Sequence, residues 1–249
     1  MSTESSAIEV LRQAHERTLA AGSARILLCV AQSWPMPPMP QRRRGGLLRP
    51  VLKLGMFAGK RVWTLVTRDF DFGHREAEGV LDISGRRYML DYGSYARLYA
   101  DHREWDGRSG RSLSTLSPSC DQTPTPLWLL DLLAGITDVS DQGSDSVRGT
   151  SCRHLVAKTD LSRASPATPD GIVPPRVSRF EDLLALPVDA WVDDQHIRRL
   201  RLKTESPPEV RTETLDLWDH GTRLDGLDWT RLPTFRSPEE AADLAARDR

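Results

Sequence analysis

Cys152 and His154 sit two residues apart in a run that reads as a strand, so their side chains share one face. A thiol beside an imidazole could bind zinc or form a nucleophile pair. No second pair at metal-ligand spacing exists, and no oxyanion loop is visible, so a structural role is expected for both. His74-Arg75-Glu76 and His102-Arg103-Glu104 look alike, but neither matches H-E-x-x-H, and both read as solvated strand ends. Asp193, Asp194 and His196 gather at one turn. A calcium loop needs more oxygens and a glycine, so turn chemistry accounts better for these aspartates. Gly107-Arg108-Ser109-Gly110 is no nucleophile elbow, and no glycine loop would cradle a phosphate. The sequence therefore predicts no catalytic residue, no metal site and no cofactor. A binding protein is expected rather than an enzyme.

Two other groups of residues could recognise a partner. The first is apolar. Segment 125–136 reads as a helix with Thr125 as N-cap, Pro126 at its first position and Gly135 as terminator. Leu129, Leu132, Leu133 and Ile136 fall on one side, and Asp131 is its single charge. A helix apolar nearly all round belongs under a sheet. Trp128 either lines a ligand cavity there or fills core. With Leu27, Leu200 and Leu202 on neighbouring strands, Trp128, Leu129, Leu132 and Leu133 are the candidate lining for an apolar small molecule or lipid.

The second group is basic. From Arg17 to Arg68 there is no Asp or Glu, yet ten Lys and Arg; the net charge of the whole chain is −1, leaving −11 for the remainder. Such a split predicts one basic face on an acidic body. Segment 34–46 is rich in proline and arginine, and segment 47–67 follows it. Leu47, Val51, Leu54, Ala58, Val62 and Leu65 form a stripe at helical spacing. Residues 61–67 are also rich in strand formers, so helix is favoured over strand there without excluding it. Arg42, Arg43, Arg44, Arg49, Lys53 and Lys60 are the candidate contacts to an anionic membrane surface. No aromatics interleave these arginines, so no specific nucleic-acid partner is expected.

The elements that position these residues can be read in order. Segment 5–21 reads as an amphipathic helix, with Ile8, Leu11, His15 and Leu19 at helical spacing and Gly22 as its stop. Segment 25–31 reads as a strand that is apolar on both faces, with Cys29 in the core. Residues 79–93 give a hairpin turning at Ser84-Gly85, and weaker strands are expected at 97–101 and 111–116. Residues 147–161 give two short strands broken near Gly149, and 178–186 a short helix capped from Ser178 to Glu181. The clearest pattern is 186–218. Val188, Ala190 and Val192 alternate with Asp189, Trp191 and Asp193; Leu200 and Leu202 alternate with Arg199, Arg201 and Lys203; Leu215 and Leu217 alternate with Thr214, Asp216 and Trp218. That is a three-stranded meander with one apolar side. The face that Trp191 occupies, outer surface or helix-covered, is left open. A polar helix is expected at 237–246.

With 249 residues, a single domain buries roughly three quarters of the surface its unfolded chain exposes. Residues 1–235 read as one domain with a basic insertion at 34–66, and 236–249 as a polar tail. Three widely spaced cysteines, Cys29, Cys120 and Cys152, make a poor disulfide framework and fit a reducing compartment. No run of 18 apolar residues predicts a membrane span, and charges throughout the first 25 residues leave no signal peptide to expect. The expected location is the cytoplasm, peripheral at the inner face of the membrane.

The order of these pieces resembles actinobacterial lipoproteins of the LprG/LppX type, and more distantly the carrier LolA. The resemblance rests on Gly22-Ser23-Ala24-Arg25, Glu78-Gly79-Val80-Leu81-Asp82, Pro126-Leu127-Trp128-Leu129-Leu130, Val147-Arg148-Gly149 and residues 187–199. It spans roughly residues 5 to 235. The sequence departs from secreted members of the family in lacking a lipobox cysteine and in carrying the Pro/Arg insertion. The resemblance implies an α+β fold: a curved antiparallel sheet, a half-open barrel, with helices on the concave side. It also implies a lipid or other apolar ligand held between sheet and helices.

Overall fold

The computed structural model describes residues 3–33, 74–91, 96–100, 103–106, 111–114, 126–167, 179–206, 209–225 and 227. Helix α1 (Thr3–Ala20) opens the chain. It ends where Gly22 adopts φ +75°, and the Ala21 and Gly22 amides donate to the Arg17 and Leu19 carbonyls. Strands β1 (Ser23–Ser33), β2 (His74–Asp82), β3 (Arg87–Asp91), β4 (Ala96–Ala100), β5 (Arg103–Asp106) and β6 (Arg111–Ser114) follow. Helix α2 (Pro126–Asp131) tightens into a 3-10 turn, Leu132–Gly135, before β7 (Ile136–Val147) and β8 (Thr150–Thr159). One helical turn, α3 (Leu161–Ala164), is capped by the Asp160 side chain, which accepts from the Ser162 amide. Strands β9 (Leu186–Val192), β10 (Ile197–Ser206) and β11 (Glu209–Trp218) complete the sheet.

All pairings are antiparallel, in the order β6-β5-β4-β3-β2-β1-β11-β10-β9-β8-β7. Among the described residues β6 and β7 stand at opposite margins, so the sheet is open. Every neighbour follows its predecessor in sequence except at the seam between β1 and β11. The class is α+β: one open antiparallel sheet with few helices on one of its faces.

Two rows of residues show how that face is made. Leu155, Ala190, Leu200, Leu215, Leu28 and Ala77 stand opposite one another across β8, β9, β10, β11, β1 and β2. All six are buried in one cluster with Leu11 and Ala14 of α1 and Leu127 and Leu129 of α2. In the next row Gly79 lies between Ile26 and Leu90, and a Cβ there would collide with the Met89 carbonyl. Glycine is what lets β3 approach β2 so closely.

Several expectations are corrected here. The helix expected at 125–136 is shorter; its last turn is 3-10, and Ile136 already belongs to β7. The broken strands expected at 147–161 are two long strands joined at Arg148 and Gly149, both with positive φ, +51° and +81°. Positive φ at both central residues is the turn that suits a two-residue hairpin. Arg148 is held there with its guanidinium 3.9 Å over the Trp218 ring. The short helix expected at 178–186 is a 3-10 turn, Phe180–Leu184, closed by Asp182 accepting from the Arg179 amide. Cys29 is half-buried beside Glu76 and lies outside the core cluster. The expected helices at 47–67 and 237–246 lie outside the described residues.

Candidate ligand-binding face

The helix-bearing face is built around α2. All six of its residues are buried, including Pro126 and Asp131. Leu132 and Leu133 continue the burial through the 3-10 turn. A segment buried this completely is covered by more than the sheet: Leu11 of α1 and Leu161 of α3 share its cluster. Of the residues expected to line an apolar site, Trp128, Leu129, Leu132, Leu133, Leu200 and Leu202 are brought together in one cluster. Trp128 is 5% exposed. Leu27 is not brought there. It alternates with Ile26 and Leu28, is half-buried, and stands between Asp216 and Glu78 on the opposite face. The arginines and lysines expected to meet an anionic surface, Arg42 to Lys60, lie outside the described residues.

Two polar groups enter the apolar face, and each arises from a residue the sequence reading noticed for another reason. Asp131, the one charge in α2, forms a bidentate ion pair with Arg86 in the β2–β3 turn, at 3.0 and 2.7 Å. A buried carboxylate needs such a partner. The pair ties α2 to the far wing of the sheet. His15, read as part of the apolar stripe of α1, is 8% exposed. Its Nε2 is buried with no hydrogen-bond partner. Burial pushes the imidazole below the usual histidine pKa, against the opposing pull of the Asp131 charge. Three residues on, Thr18 Oγ1 donates to the Ala14 carbonyl and accepts from the Ile197 amide, fixing α1 to the start of β10.

The opposite face resolves the Cys152 and His154 question. Both do share a face, together with Val147 and Trp191. Trp191 is therefore on the outer side of the sheet, away from α1 and α2. His154 stacks on it at 4.2 Å, the Trp191 Nε1–H donates to Asp145 at 2.8 Å, and Arg201 lies 5.0 Å from the indole centroid. His154 and Arg201 both reach Asp189, and Arg199 grips Asp216 through two bonds. The hydrogen bond from Trp191 holds the Asp145 carboxyl below its ordinary pKa. Burial raises the Cys152 pKa, and its thiol donates to the Thr150 carbonyl. Burial and the neighbouring Glu76 push Cys29 up to about 11. Neither thiol is an activated nucleophile at neutral pH. This is a cross-strand lattice whose polar groups answer one another.

The acidic turn behaves as turn chemistry. Asp193 accepts from the Gln195 and His196 amides and from Arg198. Burial pushes its carboxyl up, but these bonds together pull it below the ordinary value. Beside this turn, a polar cleft of about 450 Å³ opens between α1 and β7–β8, lined by Arg17, Asp141, Arg153 and Asp193 among others. Its charges are already engaged: Arg153 with Asp141, and Arg17 with the Asp194 carbonyl. Among the described residues no three His, Cys, Asp or Glu side chains could hold a metal ion, and no helix is long and apolar enough to cross a membrane.

No family model matches the chain, and no curated protein matches it. Among solved structures it is similar to the lipoprotein LppX of Mycobacterium tuberculosis, at 11% identity and a TM-score of 0.48, over 90% of this chain and 99% of that one. It is similar to LprF of Mycobacterium bovis, at 13% identity and 0.48, over 90% and 97%. It is also similar to a LolA-superfamily protein of Nitrosomonas europaea, at 10% identity and 0.30, over 88% and 95%. The solved structures that this chain is similar to thus include the LppX and LolA types that its sequence resembles.

Proposed function

We propose that the protein is a non-enzymatic binding protein that holds an apolar, lipid-like ligand between the sheet and its helices. The observation that carries this reading is α2 and its 3-10 extension: short, apolar on all sides, and seated among inward-facing rows of leucine and alanine. Such a plug is held by burial and by the single charged tie described for Asp131. An acyl chain offers the same apolar surroundings in exchange, at roughly 0.8 kcal/mol per buried methylene. The test is native mass spectrometry and solvent extraction of protein purified without detergent, with uptake of a fluorescent fatty-acid probe. Bound acyl chains or saturable uptake are expected. A clean protein that takes up no probe would refute the reading. Trp128→Ala separates lining from packing: the ligand reading expects weakened uptake with a stability loss below the roughly 3–5 kcal/mol of a close-packed tryptophan.

A second reading rests on the acid-free window that contains Arg42, Arg43 and Arg44. In it the basic segment docks on an anionic membrane surface, placing the protein at the inner face of the membrane. Binding to anionic vesicles should weaken as salt rises, because exposed charges are screened over about 8 Å at physiological ionic strength. Replacing the three arginines with serine should weaken it further at an unchanged melting temperature. Equal binding to neutral and anionic vesicles would reject it.

A further inference from the structure

The polar cleft between α1 and β7–β8 holds its charges in two different ways. Arg153 grips the Asp141 carboxylate and Arg198 that of Asp193, so those four charges cancel in pairs. Arg17 instead donates to the main-chain carbonyl of Asp194 at 3.0 Å, a neutral partner that holds the guanidinium in place without cancelling its charge. The carboxylate of Asp194 is left alone as well. Among the described residues neither Arg17 nor Asp194 has an ion pair, and both are exposed. One cation and one anion thus line the cleft as neighbours without neutralising each other.

The walls that carry them are fixed. Val10, Gln13, Ala14 and Arg17 recur at helical spacing, so one stripe of α1 forms a wall. The Thr18 hydroxyl, accepting from the Ile197 amide at 3.0 Å, pins that helix to β10. On the other side β7 bulges between Asp141 and Gly143. Gly143 takes φ +98°, and a Cβ there would meet nothing, so the bulge leaves the space open. At about 450 Å³ the cleft falls within the roughly 300–1,000 Å³ of small-molecule sites. Its apolar lining belongs to the interior: Ala14 and Val192 are members of the core cluster, and Val10 packs against it. The cleft therefore borders the apolar face that the helices cover.

We propose that this cleft receives the zwitterionic head of an amphiphile, its anion on Arg17 and its ammonium on Asp194. This rests on the binding reading above and narrows it to a class: lipids whose head carries both a phosphate and a primary ammonium, in preference to neutral or purely anionic heads. A purely anionic head would satisfy Arg17 but leave Asp194 facing a like charge. A dipolar head answers both, while the chain leaves past Val10, Ala14 and Val192 for the apolar face.

The test uses the full-length protein and three probes with the same acyl chain: palmitoyl lysophosphatidylethanolamine, palmitoyl lysophosphatidic acid and monopalmitoylglycerol. Each displaces a fluorescent fatty-acid probe below its micelle concentration. The first head is zwitterionic, the second anionic and the third neutral. The wild type should bind the zwitterion about five- to tenfold more tightly than the neutral probe, the effect of two solvent-exposed ion pairs. That ratio should shrink as salt rises. Arg17→Gln should bring it to within about twofold of one, and Arg17→Lys, which keeps the cation, should retain most of it. Asp194→Asn should abolish the preference for the zwitterion over the anionic probe. Glycerophosphoethanolamine carries the same head without the chain and should bind more than about a hundredfold more weakly, because it buries no methylenes. If it binds as tightly as the lysolipid, the ligand is a free zwitterion and the proposal is overturned. Equal affinity of the wild type for the zwitterionic and neutral probes also overturns it and leaves the apolar-ligand reading standing. So does a preference that survives in both Arg17→Gln and Asp194→Asn. If none of the three lipids displaces the fluorophore from the wild type, the apolar-ligand reading falls and the head site falls with it.

Discussion

Mild acid should destabilise this fold, and His220 should account for much of the effect. His220 follows β11 and stacks on His196 of the β9–β10 turn at 4.3 Å. Burial lowers its pKa to about 4, helped by His196 and Arg198; Asp193 and a backbone bond to Ile197 pull the other way. The unfolded chain holds the imidazole near its ordinary value of about 6.5. A histidine depressed in the folded state takes up its proton preferentially when unfolded, so stability is present above about 6.5 and is lost as pH falls towards 4. The full shift sets a ceiling near 3 kcal/mol, and solvent access to the ring reduces this to about 1–2 kcal/mol. His196 and His15 are also lowered, chiefly by burial, and act in the same direction. The carboxylates held below their ordinary values, such as Asp141 and Asp160, lose their contribution only below about pH 4 and leave this window clear. Urea unfolding from about pH 7.5 to about pH 4.5 measures the slope. His220→Phe keeps a ring against His196 and removes the proton. Its stability should be visibly flatter with pH than the wild type's. A variant whose stability falls as steeply as the wild type's would refute the reasoning.

Two other changes have definite signs. Arg86→Met strands the buried Asp131 carboxylate and should destabilise by about 2–3 kcal/mol, while adding Asp131→Leu should restore most of the loss, read from denaturant midpoints. Asp193→Ala removes an acceptor that answers two amides and Arg198, and should lower stability by about 1–2 kcal/mol; Asp194→Gly should change it by less than about 0.5 kcal/mol, because only the Asp194 carbonyl is used, by Arg17. Thermal melts of the two turn variants side by side check the contrast.

The meander at 186–218 was legible because each strand has one apolar side. The observed register sets Leu200 between Ala190 and Leu215, and Arg199 between Trp191 and Asp216. Strand β7 was not legible. It is a margin strand with two register shifts, and of its twelve residues only Ile136, Val139 and Val147 are buried, so no period of two survives. Leu27 was misplaced for a different reason. Strand β1 is apolar on both faces, and what decides its inner face is where α1 and α2 pack, a long-range fact that local alternation does not carry. The same fact settles Trp191. Asp131 was visible as the single charge of its helix, and His15 as a member of the α1 stripe. The partner of Asp131, Arg86, is far away in sequence, so pattern alone could not supply it.

The seam between β1 and β11 has a consequence for how the chain is made. Nine residues of the first strand, Arg25 to Ser33, pair with the last, Trp218 to Val210. Strands β1–β6 can assemble as they leave the ribosome, and so can β7–β11, since every strand pairing within each wing is between neighbours. The two wings cannot join until Trp218 has been synthesised. Until then β1 carries an unpaired edge, and α1 waits for the β7, β9 and β10 surface that it covers. This places the exposed, association-prone species late in synthesis. It also makes the connection between β6 and β7 the natural place to cut the chain, with two fragments that would find each other through that seam and through α1.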